Sequence, residues 1–195
     1  MSRRLLLLIF GCLAAAYVSV ASASPPDAGD TELMLQSGAV FTNGSTTRSG
    51  TAYYDTSNSH TDYNFAAGFG FGLGGDFEAG FSVGYGRLST AGCDSQSCSI
   101  IDSVGSRQWS LFLRHNFESA YDGTNYAFSG IEFTAAYPDE QFGRITMLRP
   151  YVGYRFGLPQ DWSLELVVGG SQVVAGTAAV SSGYEVRLGL VIPLQ

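Results

Sequence analysis

Apolar and polar side chains alternate along most of the chain after residue 30, with a period of two residues. In the clearest stretch, from Tyr63 to Leu73, the odd positions are aromatic, aliphatic or alanine, and the even positions are mostly glycine. The next stretch, from Phe77 to Tyr85, repeats the pattern. A period of two is typical of β-strands whose two faces meet different surroundings, and no segment beyond residue 30 shows a convincing helical period.

The pattern divides into eight segments, and their length and spacing predict a membrane barrel. Ordinary strands average about 5–6 residues, whereas strands that cross a membrane need about 9–11. The predicted connections alternate between long and short, as in transmembrane barrels with long outer loops and short periplasmic turns. We therefore predict an all-β fold, an eight-stranded antiparallel transmembrane β-barrel with up-and-down meander order. The predicted strands are 31–42, 61–74, 77–88, 107–118, 124–136, 146–157, 161–173 and 183–194.

The two faces of these strands differ in a way that indicates which one meets lipid. One face is rich in Gly, Ser, Ala and Asn, which suits the narrow interior of an eight-stranded barrel. The other carries Leu, Val and Phe, with aromatic residues near both strand ends, like the girdles of membrane barrels. A soluble ligand-binding barrel would place its aromatics inside, without two belts. The predicted girdles are Phe77, Phe117, Phe156 and Trp162 at the short-turn end, and Phe41, Tyr63, Tyr85, Trp109 and Tyr184 at the long-loop end.

The N-terminus has the parts of a secretory signal peptide. Arg3 and Arg4 form a positive region, residues 5–18 are largely apolar, and residues 21–23 offer an A-x-A cleavage site. The apolar run is shorter than the ~20 residues of a spanning helix, which disfavours the alternative of an uncleaved anchor. The predicted organisation is a signal peptide at 1–23 and an outer-membrane β-barrel domain at 24–195.

Composition excludes one class of partner and supports the membrane prediction. Charged residues make up 14% of the chain, against about 25% in typical soluble domains. The net charge is −7, and every basic side chain is arginine. Nucleic-acid binding needs a basic footprint, so we expect no nucleic-acid partner.

Over residues 31–194 the pattern resembles the small outer-membrane barrels of the OmpA transmembrane-domain and OmpX type. The resemblance rests on strand number, alternation, girdles and connection lengths rather than on a sequence motif. It implies localisation in the cell outer membrane of a Gram-negative bacterium, among outer-membrane lipid and lipopolysaccharide, after insertion by the barrel assembly machinery. Such proteins serve as anchors, adhesins, narrow channels or lipid-modifying enzymes. They usually end in Phe, whereas this chain ends Pro193-Leu194-Gln195.

Charged residues recur on the predicted inward face. The register sets Glu165 near Arg155, and Glu132 near Arg149, on neighbouring strands. Because buried charges persist only when they are paired, we expect an ion network that fills the lumen. The alternative is a gated pore. The inward charged residues are Glu78, Arg114, Glu132, Arg149, Arg155, Glu165, Glu185 and Arg187, together with Glu32.

An enzyme is the third functional class, because lipid A palmitoyltransferases and deacylases are also eight-stranded barrels that use His with Ser and an acid. His60 is predicted at the end of the first long loop, near Asp62. His115 is predicted on the lipid-facing register, and Phe117 stands where the deacylase His-x-Ser pattern requires serine. A Ser near a His in a Ser-rich loop is a common coincidence, because a triad is recognised by geometry rather than by sequence. We therefore expect no catalytic residue, and we also expect no cofactor.

Cys93 and Cys98 are predicted to share the second long loop. A zinc site would need two further ligands, so no metal is expected, and an oxidising exported setting favours a disulfide.

The long loops are rich in Ser, Thr, Asn and Gly, which suits either an external binding partner of unknown identity or simple solvation. The expected function is that of a non-enzymatic, surface-exposed protein with a structural or adhesive role. A narrow channel for small or apolar solutes and a lipid A-modifying enzyme are the alternatives.

Overall fold

The structure, a computed structural model, describes residues 25–42, 46–49, 52–55, 60–93, 98–117, 125–138, 144–176 and 183–194. Within these ranges ten strands form, and a 3-10 turn lies at Pro159–Asp161. Among the described residues, no helix is long and apolar enough to cross a membrane. The strands are β1 Thr31–Thr42, β2 Thr46–Ser49, β3 Ala52–Asp55, β4 His60–Gly74, β5 Phe77–Cys93, β6 Cys98–Phe117, β7 Asn125–Pro138, β8 Ile145–Gly157, β9 Ser163–Gly176 and β10 Gly183–Leu194.

Eight of the strands close into one antiparallel barrel, which confirms the predicted fold class. The order around the ring is β1-β10-β9-β8-β7-β6-β5-β4, so each barrel strand pairs with its neighbours in the chain. The first and last strands close the ring, with Thr31 opposite Leu194 and Phe41 opposite Tyr184. Closure leaves no barrel edge unpaired, which is the condition for a sheet to lie within hydrocarbon.

Two connections at the turn end of the barrel require left-handed backbone. Between β4 and β5, Gly74 and Gly75 have φ of 82° and 60°, and Asp76 follows at 65°. Glycine adopts this conformation without the steric cost that a side chain brings. Between β8 and β9, Gln160 has φ of 70° within the 3-10 turn.

The outer wall is apolar, and the interior is polar. Among the described side chains, twenty-seven large hydrophobic ones are exposed, including eight of the nine predicted girdle residues. Phe156, the ninth, is half-buried because its ring packs on Tyr154, with centroids 4.7 Å apart. Such a surface would be unfavourable in water but suits lipid, which therefore surrounds the barrel.

The loop end differs from the sequence prediction. Strands β5 and β6 continue to Cys93 and from Cys98, where a long loop was predicted, and β2 and β3 form a small hairpin inside the first predicted loop. His60 is the first residue of β4 rather than part of a loop. Residues 88–104 are rich in the Ser, Thr and Gly typical of loops, but continued backbone pairing with the adjacent strand overrides that composition. The asymmetry between the barrel ends thus includes protruding strands as well as loops.

Candidate functional site

The charged residues on the inward register are almost completely buried. Glu78 and Glu165 are 0% exposed, and Arg114 and Arg155 are 2% and 1% exposed. Their burial follows from strand geometry, because alternate side chains point into a barrel that is only wide enough to be filled by them. Charges removed from water in this way need partners at hydrogen-bond distance.

The charges nearer the short turns form a turn-side layer of three carboxylates and two guanidinium groups, comprising Glu32, Glu78, Arg114, Arg155 and Glu165. Arg114 donates from Nε to Glu78 (2.8 Å) and from Nη1 to Glu165 (2.7 Å). Arg155 donates from Nε and Nη2 to Glu165 (2.9 and 2.6 Å) and from Nη1 to Glu32 (2.8 Å). Each guanidinium therefore bridges two carboxylates. The hydrogen bonds between them are charge-assisted, which is the strong type.

Aromatic side chains cover the cations of this layer. The Arg114 guanidinium carbon lies 4.8 Å from the Phe128 ring centroid and 5.7 Å from that of Phe112. Arg155 lies 5.2 Å from the Tyr126 centroid. All three distances are within the range of cation–π attraction. These inward aromatics were missed in the sequence analysis, although Tyr126 and Phe128 share the inward register of Glu132.

The charges nearer the loops form a loop-side layer, comprising Glu132, Arg149, Glu185 and Arg187. Arg187 Nη1 donates to Glu132 (2.5 Å), but Arg149 lies 3.5 Å from Glu132 and 3.7 Å from Glu185. Arg187 Nε is 3.5 Å from Glu185, which also accepts from the Asn64 amide (2.9 Å). Among the described residues, three of the four ion pairs in this layer are 3.5 Å or longer, whereas four of the six in the turn-side layer are 2.8 Å or shorter.

Glycines on the inward face make room for the lumen aromatics. A Cβ at Gly80 would collide with the ring of Phe112, and one at Gly153 would collide with the ring of Phe128. The alternation of large outward residues with inward glycines therefore does more than separate a lipid-facing side from an inner side. It allows the aromatic rings and guanidinium groups to cross the lumen and reach carboxylates on other strands.

Two small voids lie in the described part of the lumen. A cavity of about 10 Å³ lies between the two layers, lined by Met34, Phe112 and Tyr151 among others. A second, of about 20 Å³, lies beside Asn64 and Gln108 nearer the loops. A water molecule needs at least ~10–15 Å³, so each void has room for about one water.

The N-terminal segment lies in the mouth of the lumen at the turn end. Gly29 N–H donates to the Gly72 carbonyl (3.0 Å), and Gly72 N–H donates to the Asp30 carbonyl (2.9 Å). Gly72 faces inward, and a Cβ there would collide with the carbonyl oxygen of Asp27. Backbone from residues 26–30 thus narrows this entrance below the turn-side layer.

The structure does not bring the histidines into a catalytic group within the described residues. The His115 ring stacks edge-on between Phe77 and Phe117, with centroids 4.8 and 4.7 Å away, on the outward face. The His60 side chain lies outside the described side chains. The register sets Cys93 opposite Cys98, but their side chains also lie outside, so the disulfide stays a prediction.

Comparison with solved structures finds small outer-membrane barrels. Neisserial surface protein A is 13% identical with a TM-score of 0.52, and the match covers 82% of this chain and 96% of that one. The outer membrane protein OprG from Pseudomonas aeruginosa is 9% identical with a TM-score of 0.55, and the match covers 88% and 99%. No protein-family model and no curated protein sequence matches the chain. At these identities the likeness concerns the fold, and it confirms the predicted type of barrel.

Proposed function

We propose that this outer-membrane barrel is a non-enzymatic protein whose lumen is closed, so that its function is carried by the surface it displays outside the cell. The observation that supports this is the pair of charge layers across the lumen. In the turn-side layer, Arg155 links β8 to β1 through Glu32 and to β9 through Glu165. Side chains that span the lumen and pair with one another in this way fill its described section, which supports a closed lumen.

A narrow channel is the main alternative, and the small voids argue against it. Conduction through the described lumen would require both layers to separate and residues 26–30 to leave the mouth. Each opening would leave buried charges without partners, which is strongly unfavourable. The proposed resting state is therefore closed.

Conductance in planar bilayers tests the closed lumen. Wild-type protein should give little current above the bare bilayer, whereas Arg155→Ala combined with Glu165→Ala should raise conductance by removing the centre of the turn-side layer. Leu111→Ala, on the outward face at 52% exposure, is the matched control and should stay closed. Large, steady conductance of the wild type would replace this proposal with the channel.

A lipid A-modifying enzyme is the remaining class. His115 is packed between two aromatic rings, which leaves His60 as the candidate base. We expect that lipid A from cells producing the protein has the same mass spectrum as lipid A from cells producing His60→Ala. A mass change that requires His60 would show that the protein is an enzyme.

We propose that residues 1–23 are removed as a signal peptide, that the barrel assembly machinery inserts residues 24–195, and that the polar segment 43–59 is displayed for an adhesive contact. Mature protein should begin at Ser24. Protease treatment of intact cells should cleave within 43–59, while resistance there would argue against display.

A further inference from the structure

A groove opens on the lipid-facing wall, in the loop half of β8, β9 and β10. Its volume is about 380 Å³, and its outward lining residues are Leu148, Pro150, Gly170, Gln172 and Tyr184. The register sets Gly170 beside Tyr184, a residue of the loop-end girdle. The groove therefore lies where the wall meets the outer half of the membrane, and its lining combines aliphatic carbon with two polar groups.

Gly170 creates the groove because it has no side chain at an outward position. Its neighbours on that face, Val168 and Gln172, are both exposed. Apart from Gly170 itself and its two chain neighbours, the only described heavy atom within 4 Å of a Cβ built on Gly170 is the carbonyl oxygen of Gly183, at 3.8 Å. The inward glycines give space to lumen side chains, whereas the space beside Gly170 is open to the bilayer.

The floor of the groove coincides with an interruption in the β8–β9 ladder. Continuing the register across the interruption sets Arg149 opposite Ser171 and Pro150 opposite Gly170. The ladder holds on either side, in the pairs Leu148–Gln172 and Tyr151–Gly169. In an antiparallel ladder, both missing pairs depend on a hydrogen bond from the N–H of residue 150 to the Gly170 carbonyl. Proline has no N–H, so this bond cannot form.

The Gly170 carbonyl therefore lacks its partner from β8. On the other side, β8 keeps its ladder with β7 at Pro150, opposite Ile131, so the missing donor belongs to the β9 side. A backbone carbonyl in contact with hydrocarbon needs a donor, because no bulk water reaches it there. The carbonyl lies in the plane of the sheet and points toward β8, and Gly170 has no side chain that would cover its outward side.

We propose that the groove binds an acyl chain of lipopolysaccharide, with a hydroxyl or amide group of that lipid donating to the Gly170 carbonyl. The chain fits the aliphatic lining beside Leu148 and Pro150. The loop half of an outer-membrane barrel faces the outer leaflet, where this glycolipid lies. Its hydroxylated and amide-linked chains carry donors at the depth of the upper chain, whereas the ester-linked chains of phospholipids carry none.

The polar groups of the rim suit the same ligand. Tyr184 is 68% exposed, and an amphipathic tyrosine at the interface places its hydroxyl near the polar part of a lipid. Gln172 adds an amide on the same face. The site thus has an apolar slot, an acceptor on its floor and donors at its rim. This inference depends on the lipid-facing wall and is independent of whether the lumen is closed.

The test is a titration of delipidated, detergent-solubilised protein with purified lipopolysaccharide, followed by the temperature at which the folded band is lost on unboiled gels and by native mass spectrometry. Gly170→Leu fills the slot and should weaken binding about tenfold, as expected for loss of a hydrogen bond together with chain contacts. Val168→Leu, which enlarges an outward side chain on the same strand, is the control and should bind like wild type.

Pro150→Val supplies the missing N–H and keeps an apolar side chain. It should raise the unfolding temperature of lipid-free protein and reduce the further rise caused by lipopolysaccharide. If Gly170→Leu does not fold, this variant alone decides the matter. Unchanged lipopolysaccharide binding by the folded variants would overturn the proposal, as would equal binding of a phospholipid with chains of the same length.

Discussion

The two faces of the barrel wall solve opposite problems with residues that are neighbours in sequence. Arg114 is 2% exposed inside the lumen, while Leu113, the residue before it, is 46% exposed on the outer wall. In a soluble protein these two environments would be exchanged. Here the outer solvent is lipid, so exposed apolar side chains carry no free-energy penalty. The contacts that require particular residues are therefore those between charged side chains in the interior.

The two faces therefore contribute to the stability of the barrel through different interactions. Outside, a side chain needs only to match hydrocarbon, so many apolar residues can replace one another. Inside, each charge depends on particular partners, and the partners often belong to strands that are distant around the ring. Substitutions inside should therefore be costly when they are single and less costly when both partners change, whereas outside the cost should follow depth in the membrane.

The largest effect is expected for Arg155→Met in the turn-side layer. The change removes the donors to both Glu32 and Glu165 and leaves Glu165 buried with Arg114 as its remaining close partner. Breaking a buried ion pair typically costs about 3–5 kcal/mol. Urea unfolding in lipid vesicles measures the free energy, and a cost below that of an average surface substitution would mean that the layer contributes little.

On the outer wall, Phe69→Arg should cost about 2–4 kcal/mol, because Phe69 lies near mid-strand and Arg at the bilayer midplane is penalised by that amount. Tyr184→Arg at the loop-end girdle should cost only about 0–1 kcal/mol. Folding yield and urea unfolding of the two variants give the comparison. If Phe69→Arg folded as well as wild type, the assignment of inner and outer faces would be wrong.

A smaller effect is expected for Arg149→Met in the loop-side layer. The ion pairs of Arg149 measure 3.5 and 3.7 Å, and Arg187 also serves both Glu132 and Glu185. We expect a cost of about 1–3 kcal/mol, the range for leaving polar groups partly unsatisfied. The same unfolding measurement tests the ranking, which fails if Arg149→Met costs more than Arg155→Met.

The smallest effect on stability concerns the tip of β5 and β6. A disulfide between Cys93 and Cys98 would close a very short loop, so reduction should change the unfolding free energy little. When mature protein is exported through the periplasm and isolated without a reductant, alkylation should leave both cysteines unlabelled. Two labelled thiols would mean that the predicted bond does not form.

The features that the sequence predicted best depend on strand periodicity. Alternation placed the eight barrel strands and their faces, and register set Arg155 beside Glu165, which the structure pairs directly. Contacts across the lumen could not be derived in this way. Arg187 on β10 reaches Glu132 on β7, and that contact depends on barrel width and side-chain length rather than on the pairing of adjacent strands.

The errors at the loop end have a related cause. The composition of residues 88–104 is typical of a loop, but pairing between β5 and β6 extends the hairpin, as between Thr90 and Ile101. The inward aromatics Tyr126 and Phe128 were missed because aromatic residues were assigned to the lipid face. In the structure, glycines such as Gly153 make the space that lets such rings point inward.

Paired charges inside the lumen are what holds it closed in this proposal, and a double-mutant cycle on Arg155 and Glu165 measures that pairing directly. Arg155→Met and Glu165→Leu are measured singly and together by urea unfolding in vesicles. If the two side chains depend on each other, the double variant should cost less than the sum of the single variants, with a coupling of about 1–3 kcal/mol. Strict additivity of the two costs would contradict the account.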